Sequence, residues 1–415
     1  MKVAFATSSF LGGGITSYAH EFINNFSSHN ELSVLIGDDS KFPIKNNNVQ
    51  IYRVEGSDCT VSNAKIVIKL LNETIRPDVL IISNSHVVAL VVPFLVSSIR
   101  VITVSHSLKY IEADIAAINH RYCDRVIALS EYNKEYIIQR FKADKNKVSV
   151  VYNFVNDYPS ADTIVERKKQ SVSPISIVYM GGSSGAKSPD IVLNILKELI
   201  KEKDLFEFYW VGADTPPLKR LQLFDRISSL FPIFENRIHF TGRIKRDEVS
   251  ELLEKADLLL IPSRREGCPM ALLEALRVGT VAIVADYKNA CIELIRDGVN
   301  GFVVKHNQIK QFSKVIIDFA RNKTVYSSYY DNAYLTYKDQ LSTNKWVDSM
   351  SRIMCDCSNV FREPRKQFSR LSYLTIRTHL KLMNIGNVID KFLKESLTAA
   401  IPFGVEYLKK RVNDK

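Results

Sequence analysis

The chain has 415 residues, 46% of them apolar and 24% charged, which excludes a disordered protein and exceeds what one ordinary α/β core holds. Two domains and an appendage are expected. Most of the net charge of +11 sits at the end, where Phe361–Lys415 carries twelve Lys and Arg against five Asp and Glu, so an anionic partner is expected there rather than an evenly basic surface.

Lys2-Val3-Ala4-Phe5-Ala6 runs straight into a glycine-rich turn and reads as a first strand, not a signal peptide. Further short β-rich runs follow at Leu32–Gly37, Val79–Ser83, Arg100–Ser105, Arg125–Leu129 and Val148–Tyr152, some separated by helical patterns such as Thr16–Asn25 and Glu131–Phe141. Alternation of this kind marks a parallel sheet built from βαβ units. The first domain is assigned to residues 1–160, with its folded part ending near Val155. The longest apolar stretches, near Val87–Val96 and Leu258–Pro262, fall short of the ~20 residues that span a bilayer, so no transmembrane helix is expected.

Gly12-Gly13-Gly14 lets backbone approach a ligand closely. Ser17 stands where the third glycine of a dinucleotide fingerprint belongs, which counts against a dehydrogenase. His106 closes the strand Val101–Ser105 and is open to a structural or a functional reading, as is the weaker candidate His86. Residues 156–173 are polar, carry Pro159 and lack a sustained apolar period, so they read as the interdomain connection.

A second series begins at Ile175, with strands Ile175–Met180, Phe206–Gly212, Ile238–Thr241, Leu258–Pro262 and Val281–Val284 and helices such as Ile191–Lys201 and Asp247–Lys255. It defines a domain at 174–345. Doubly wound sheets bind ligands at the carboxyl ends of their strands, so the cleft between the domains is the expected site. The loop Met180–Lys187 offers a lysine able to reach phosphates. In Ile261–Ala275 a strand gives way to a loop and then to a helix expected to begin near Pro269 and stop at Gly279. Free amides at that start, from Cys268, Met270 and Ala271, can hold a diphosphate. Glu266 and Glu274 could then accept hydrogen bonds from a sugar ring and a ribose.

Helical pattern resumes near Thr324, and residues 346–415 are assigned to C-terminal helices with a basic tail from about 361. Leu371, Leu374, Leu380, Phe392, Leu393 and Leu397 recur there at helical spacing, consistent with an anionic membrane surface, with nucleic acid as a second choice, or with packing on the protein itself. Six scattered cysteines suit a reducing cytoplasm, and Cys355 with Cys357 makes too few ligands for a metal site.

Pro262-Ser263, Glu266-Gly267 and Glu274-Ala275 match the Pro-Ser-x-x-Glu-Gly signature of the retaining glycosyltransferases of family 4, with seven residues between the two glutamates. The chain resembles that family to about Cys355, through Asn300–Val304 and the Asn153–Asn156 turn as well. The resemblance implies a GT-B fold, two Rossmann-like parallel-sheet domains facing across a cleft, and transfer of a hexosyl or N-acetylhexosaminyl group from a UDP- or GDP-sugar without a metal. A saccharide acceptor, probed first as a lipid-linked one in surface polysaccharide assembly, fits the tail; no nucleic-acid role is then needed.

By the same resemblance Glu266, His106 and Lys187 carry the chemistry. Gly13, Gly14, Gly182, Arg243, Gly267, Cys268, Pro269, Met270, Ala271 and Glu274 hold the donor. Gly242-Arg243-Ile244 would meet the nucleobase, although an ordinary strand-end turn has the same sequence. Gly182 stands where the family has an arginine, and Asn289-Ala290-Cys291-Ile292-Glu293 replaces its Gly-Gly-x-Pro-Glu. No Asp-x-Asp pair is present to hold a divalent ion on a diphosphate. Alternatives are a nucleotide-sugar epimerase or hydrolase of the same architecture, and a donor-binding scaffold without catalysis.

Overall fold

The computed structural model describes residues 1–8, 14–37, 48–54, 59–106, 110–170, 174–181, 187–212, 237–264, 266–356, 362–369, 371–374 and 377–378. Its first sheet has seven parallel strands, β1 (Lys2–Thr7), β2 (Glu31–Ile36), β3 (Val49–Arg53), β4 (Val79–Ser83), β5 (Arg100–Ser105), β6 (Arg125–Ala128) and β7 (Val148–Val150), in the order β3-β2-β1-β4-β5-β6-β7. Around it lie α1 (Gly14–Phe26), α2 (Val61–Lys69), α3 (His86–Val91), α4 (Tyr110–Ala117) and α5 (Glu131–Phe141). Central strands covered on both faces must be apolar along their whole length. Val3–Ala6 and Val79–Ile82 accordingly are fully buried.

The second sheet has six parallel strands, β8 (Ile175–Met180), β9 (Phe206–Val211), β10 (Ile238–Gly242), β11 (Leu258–Ile261), β12 (Val281–Asp286) and β13 (Gly301–Lys305), ordered β10-β9-β8-β11-β12-β13. Two strands were not expected from the sequence. β3 is an edge strand with Ile51 41% exposed, so no buried apolar face marks it. β13 lies at the opposite edge of its sheet and begins on Gly301, where a Cβ would come within 2.6 Å of the Ala282 carbonyl.

The connection is also more ordered than its sequence suggests, because α6 (Ala161–Gln170) occupies its middle. Ala161, Ile164, Val165 and Lys168 form the buried face. The fourth position of that stripe is a lysine, which hides the apolar period. Its ammonium donates to the Leu253 and Ala256 carbonyls and to Thr280 Oγ1, all buried. A buried charge is tolerable only when its hydrogens are used in this way. Gly279, at φ +69°, ends the helix before β12, and a Cβ there would lie 2.6 Å from Val165 of α6.

The remaining helices are α7 (Pro189–Leu199), α8 (Arg246–Lys255), α9 (Met270–Arg277), α10 (Ala290–Leu294), α11 (Ile309–Arg321), α12 (Ser327–Gln340) and α13 (Thr343–Cys355). The last returns to the first domain. Its Trp346, 3% exposed, stacks on Phe154 at 4.0 Å between centroids and meets Tyr18, Phe22 and Phe26 edge-on.

Beyond α13 the chain keeps to the first domain. Arg362 donates to the Ser97 and Ile99 carbonyls and to Asp124, and Arg365 to the Val92 carbonyl. Tyr373 is wholly buried beside Phe368, which packs on Phe94. The start of the basic tail thus packs on the protein, its arginines satisfying backbone carbonyls. Leu371 is 76% exposed, whereas Leu380, Phe392, Leu393 and Leu397 lie outside the described residues. Among those residues no helix is long and apolar enough to cross a membrane.

Truncating a buried indole typically costs about 3–5 kcal/mol. Trp346→Ala should therefore lower the denaturant midpoint by a corresponding amount, measured by urea unfolding; an unchanged midpoint would show that α13 is not held on the first domain.

Candidate active site

β8 and β11 are neighbours at the centre of the second sheet, but the chain winds away from them in opposite directions, to β9 on one side and to β12 on the other. The loops leaving their carboxyl ends therefore diverge and open a crevice. Lys187 ends the first loop and Glu266 lies in the second; their side chains meet at 2.7 Å, with Glu266 9% exposed and Lys187 33%. Tyr179 braces the lysine by donating its hydroxyl to the Lys187 carbonyl. Gly181 is required beside it, since a Cβ would stand 2.5 Å from the Tyr179 hydroxyl and 3.1 Å from Lys187 Cβ. Tyr179, Met180, Lys187, Ser263, Glu266 and Ala271 all line the resulting pocket.

The same loop leads into α9. Pro269 is its N-cap with an extended ψ of 125°, so the helix proper starts one residue later than expected, at Met270. Proline offers no side-chain cap, and the positive end of the helix opens onto the loop that carries Glu266 and Gly267. Gly14, at the start of α1, comes to this point from the other domain: a Cβ on it would lie 3.8 Å from Met270 Cγ. Cys268 is held from across the cleft, its carbonyl accepting from Asn153 Nδ2 at 2.8 Å. Burial pushes its thiol up to about 12, so it remains protonated at neutral pH.

Glu274 lies further along α9 with a largely buried side chain, and burial raises its pKa above the usual carboxylate value. Arg246, at the start of α8, stands 4.0 Å from it and binds Glu21 of α1 at 2.9 Å. Arg246 and Glu21 escaped the sequence reading because the contact joins residues 225 apart. Arg243 is exposed after Gly242, whose φ of +64° makes the turn leaving β10. Nothing joins it to the Lys187–Glu266 pair among the described residues.

On the facing domain His106 ends β5. It is buried, its Nε2 lies 2.7 Å from the Ser83 hydroxyl at the end of β4, and Tyr18 meets its ring edge-on. Burial lowers its pKa to about 4, so the imidazole is neutral at pH 7 and can exchange hydrogen bonds but not supply a positive charge. His86 instead begins α3. Gly13 and Gly182 lie outside the described residues. Among the described residues no three His, Cys, Asp or Glu side chains gather to hold a metal ion.

Residues 12–157 match the sequence profile described as Glycosyltransferase Family 4, and residues 162–336 that described as Glycosyl transferases group 1. An uncharacterised glycosyltransferase of Methanocaldococcus jannaschii is 21% identical over 82% of this chain and 94% of its own length. The N,N'-diacetylbacillosaminyl-diphospho-undecaprenol alpha-1,3-N-acetylgalactosaminyltransferase of Campylobacter jejuni is 22% identical over 60% of this chain and 65% of its own. The chain spans about half the length of several other curated relatives. Among solved structures, Anabaena HepE in complex with UDP superposes with a TM-score of 0.69 at 15% identity, covering 85% of this chain and 99% of that one. These likenesses establish the GT-B fold.

The depressed His106 pKa carries a stability signature. A group that titrates near 4 when folded and near 6.5 when unfolded contributes fully above pH 6.5 and loses its contribution as pH falls towards 4, by about 3 kcal/mol in all. His106→Asn should flatten that part of the stability–pH curve, measured by urea unfolding at each pH; an identical slope in both proteins would contradict a buried neutral imidazole.

Proposed function

The chain belongs to the group 1 glycosyl transferases, and from that premise we propose that it moves a hexosyl or N-acetylhexosaminyl group from a UDP- or GDP-sugar to a saccharide hydroxyl, with retention and without a metal. The observation that carries this reading is the Lys187–Glu266 pair, fixed at the switch point of the second sheet beside the uncapped start of α9. A diphosphate needs positive charge, which the Lys187 ammonium and the α9 amides of Met270 and Ala271 supply from two directions. In this reading Glu266 would contact the hexose and Glu274 the ribose hydroxyls.

In the step itself the anomeric carbon–oxygen bond to the diphosphate breaks as the acceptor oxygen attacks from the same face. The acceptor proton passes to the departing phosphate oxygen. Lys187 and the helix start stabilise the negative charge that develops on that leaving group. His106, being neutral, serves on the opposite wall as a hydrogen-bonding group. Support for a uridine donor comes from HepE, solved with UDP and with UDP-glucose. Support for a lipid-linked acceptor comes from the Campylobacter jejuni relative, whose name specifies a diphospho-undecaprenol substrate. The basic residues from Lys381 onward would hold the enzyme on the anionic inner face of the cell membrane.

Turnover should be measured with UDP- and GDP-sugars and a panel of saccharide acceptors, with an acceptor-free control that reveals epimerisation or hydrolysis. Lys187→Ala and Glu266→Gln should each lower kcat by roughly 10²–10³-fold, while Glu274→Ala should act chiefly on the donor KM. Undiminished turnover in Lys187→Ala and Glu266→Gln would overturn the reading. For the membrane, truncation must leave the packed segment through Tyr373 intact. A chain ending at Arg377 should keep its melting temperature and lose partition onto anionic vesicles; unchanged partition would refute the membrane role.

A further inference from the structure

At the start of an α-helix four backbone N–H groups lack partners within the helix, and they must find them elsewhere. In α5 the accounting crosses the cleft. Ser130, its N-cap, serves its own domain by accepting from the Asn133 amide at 3.0 Å, and its carbonyl accepts from the Lys134 amide. The first two amides are served by the other domain. Glu293 Oε2 accepts from the Glu131 amide at 2.9 Å and Glu293 Oε1 from the Tyr132 amide at 3.1 Å. Glu293 Oε2 also accepts from the Tyr152 hydroxyl at 2.9 Å, and Lys288 sits over the Tyr132 ring.

Glu293 belongs to α10, and α10 is tied to the candidate site. The Ala290 amide donates to the Gly267 carbonyl, and Asn289 caps the helix by accepting from the Cys291 amide. Gly267 follows Glu266 directly. On the facing wall, Tyr152 precedes Asn153, whose amide holds the Cys268 carbonyl. A carboxylate at a helix N-terminus is favoured both by the hydrogen bonds and by the dipole. Both ends of this connection are therefore specific, and the Glu266–Cys268 loop lies between them.

We infer that Glu293 is a positioning residue for transfer: by capping α5 of the first domain it fixes the Glu266–Cys268 loop against the facing wall of the cleft. This rests on the transferase reading for its kinetic consequence but not for the contact itself. Misplacement of reacting groups by an ångström can slow a reaction by about 100-fold. A residue that sets the separation of the walls should therefore act on kcat more than on donor affinity, because the charged and amide groups proposed for the diphosphate, Lys187, Met270 and Ala271, all belong to the second domain.

The test uses the full chain and two readouts. Amide hydrogen exchange should be slow at Glu131 and Tyr132 in the natural protein and fast in Glu293→Ala, while Asn133, capped from its own domain, stays protected in both. Equal exchange at Glu131 and Tyr132 in the two proteins would show that the cap does not form, whatever the enzyme transfers. In turnover, Glu293→Gln should lower kcat about 10-fold or more with UDP affinity within about two-fold of the original. Tyr152→Phe, which leaves both backbone bonds in place, should cost much less. A variant that loses melting temperature but keeps kcat would make Glu293 merely structural and overturn the inference.

Discussion

A lysine and a glutamate 79 residues apart in sequence meet at 2.7 Å where two neighbouring parallel strands end and their chains diverge. The carboxylate is nearly buried while the lysine keeps about a third of its side chain in water, so the pair depends on good geometry and on surroundings that satisfy the carboxylate. Here Tyr179 braces the lysine backbone, Gly181 leaves room for the ring, and the start of α9 sets a positive dipole beside the carboxylate. The sheet order decides where this can happen. In that strand order the chain direction reverses between β8 and β11, so the loops leaving these two strands open away from each other and leave the crevice in which the pair lies.

The second requirement is that the two domains stay in register, and several independent contacts serve it. Trp346 carries α13 into the aromatic cluster of the first domain. Asn153 holds the Cys268 carbonyl, Arg246 joins Glu21 to the neighbourhood of Glu274, and Glu293 completes α5. These contacts lie along the cleft rather than far from it. The loops that would handle the donor are thus held from both domains.

Much of this was legible in the sequence, and for definite reasons. The buried strands announce themselves as apolar runs because both faces are covered. Pro269 and Gly279 bracket α9 through backbone chemistry, although the extended ψ of Pro269 puts it just outside the helix. What escaped was written in other terms. β3 is exposed and so has no apolar signature; α6 has Lys168 where its stripe needed an apolar residue; Arg362 and Arg365 read as free charge, yet they donate to backbone carbonyls. Ser83, Arg246 and Glu21 could not be found by spacing at all, since only the fold brings them to His106 and Glu274. Glu293 was noted for its place in the chain, but its partners are backbone amides of another domain.

The central claim concerns where a nucleotide diphosphate sits, and a crystal structure with a bound UDP-sugar tests it most directly. The account predicts phosphate oxygens within hydrogen-bonding distance of Lys187 Nζ and of the Met270 and Ala271 amides, with the ribose hydroxyls on Glu274. A nucleotide bound away from the β8–β11 crevice, or one whose phosphates make no contact with α9, would contradict it.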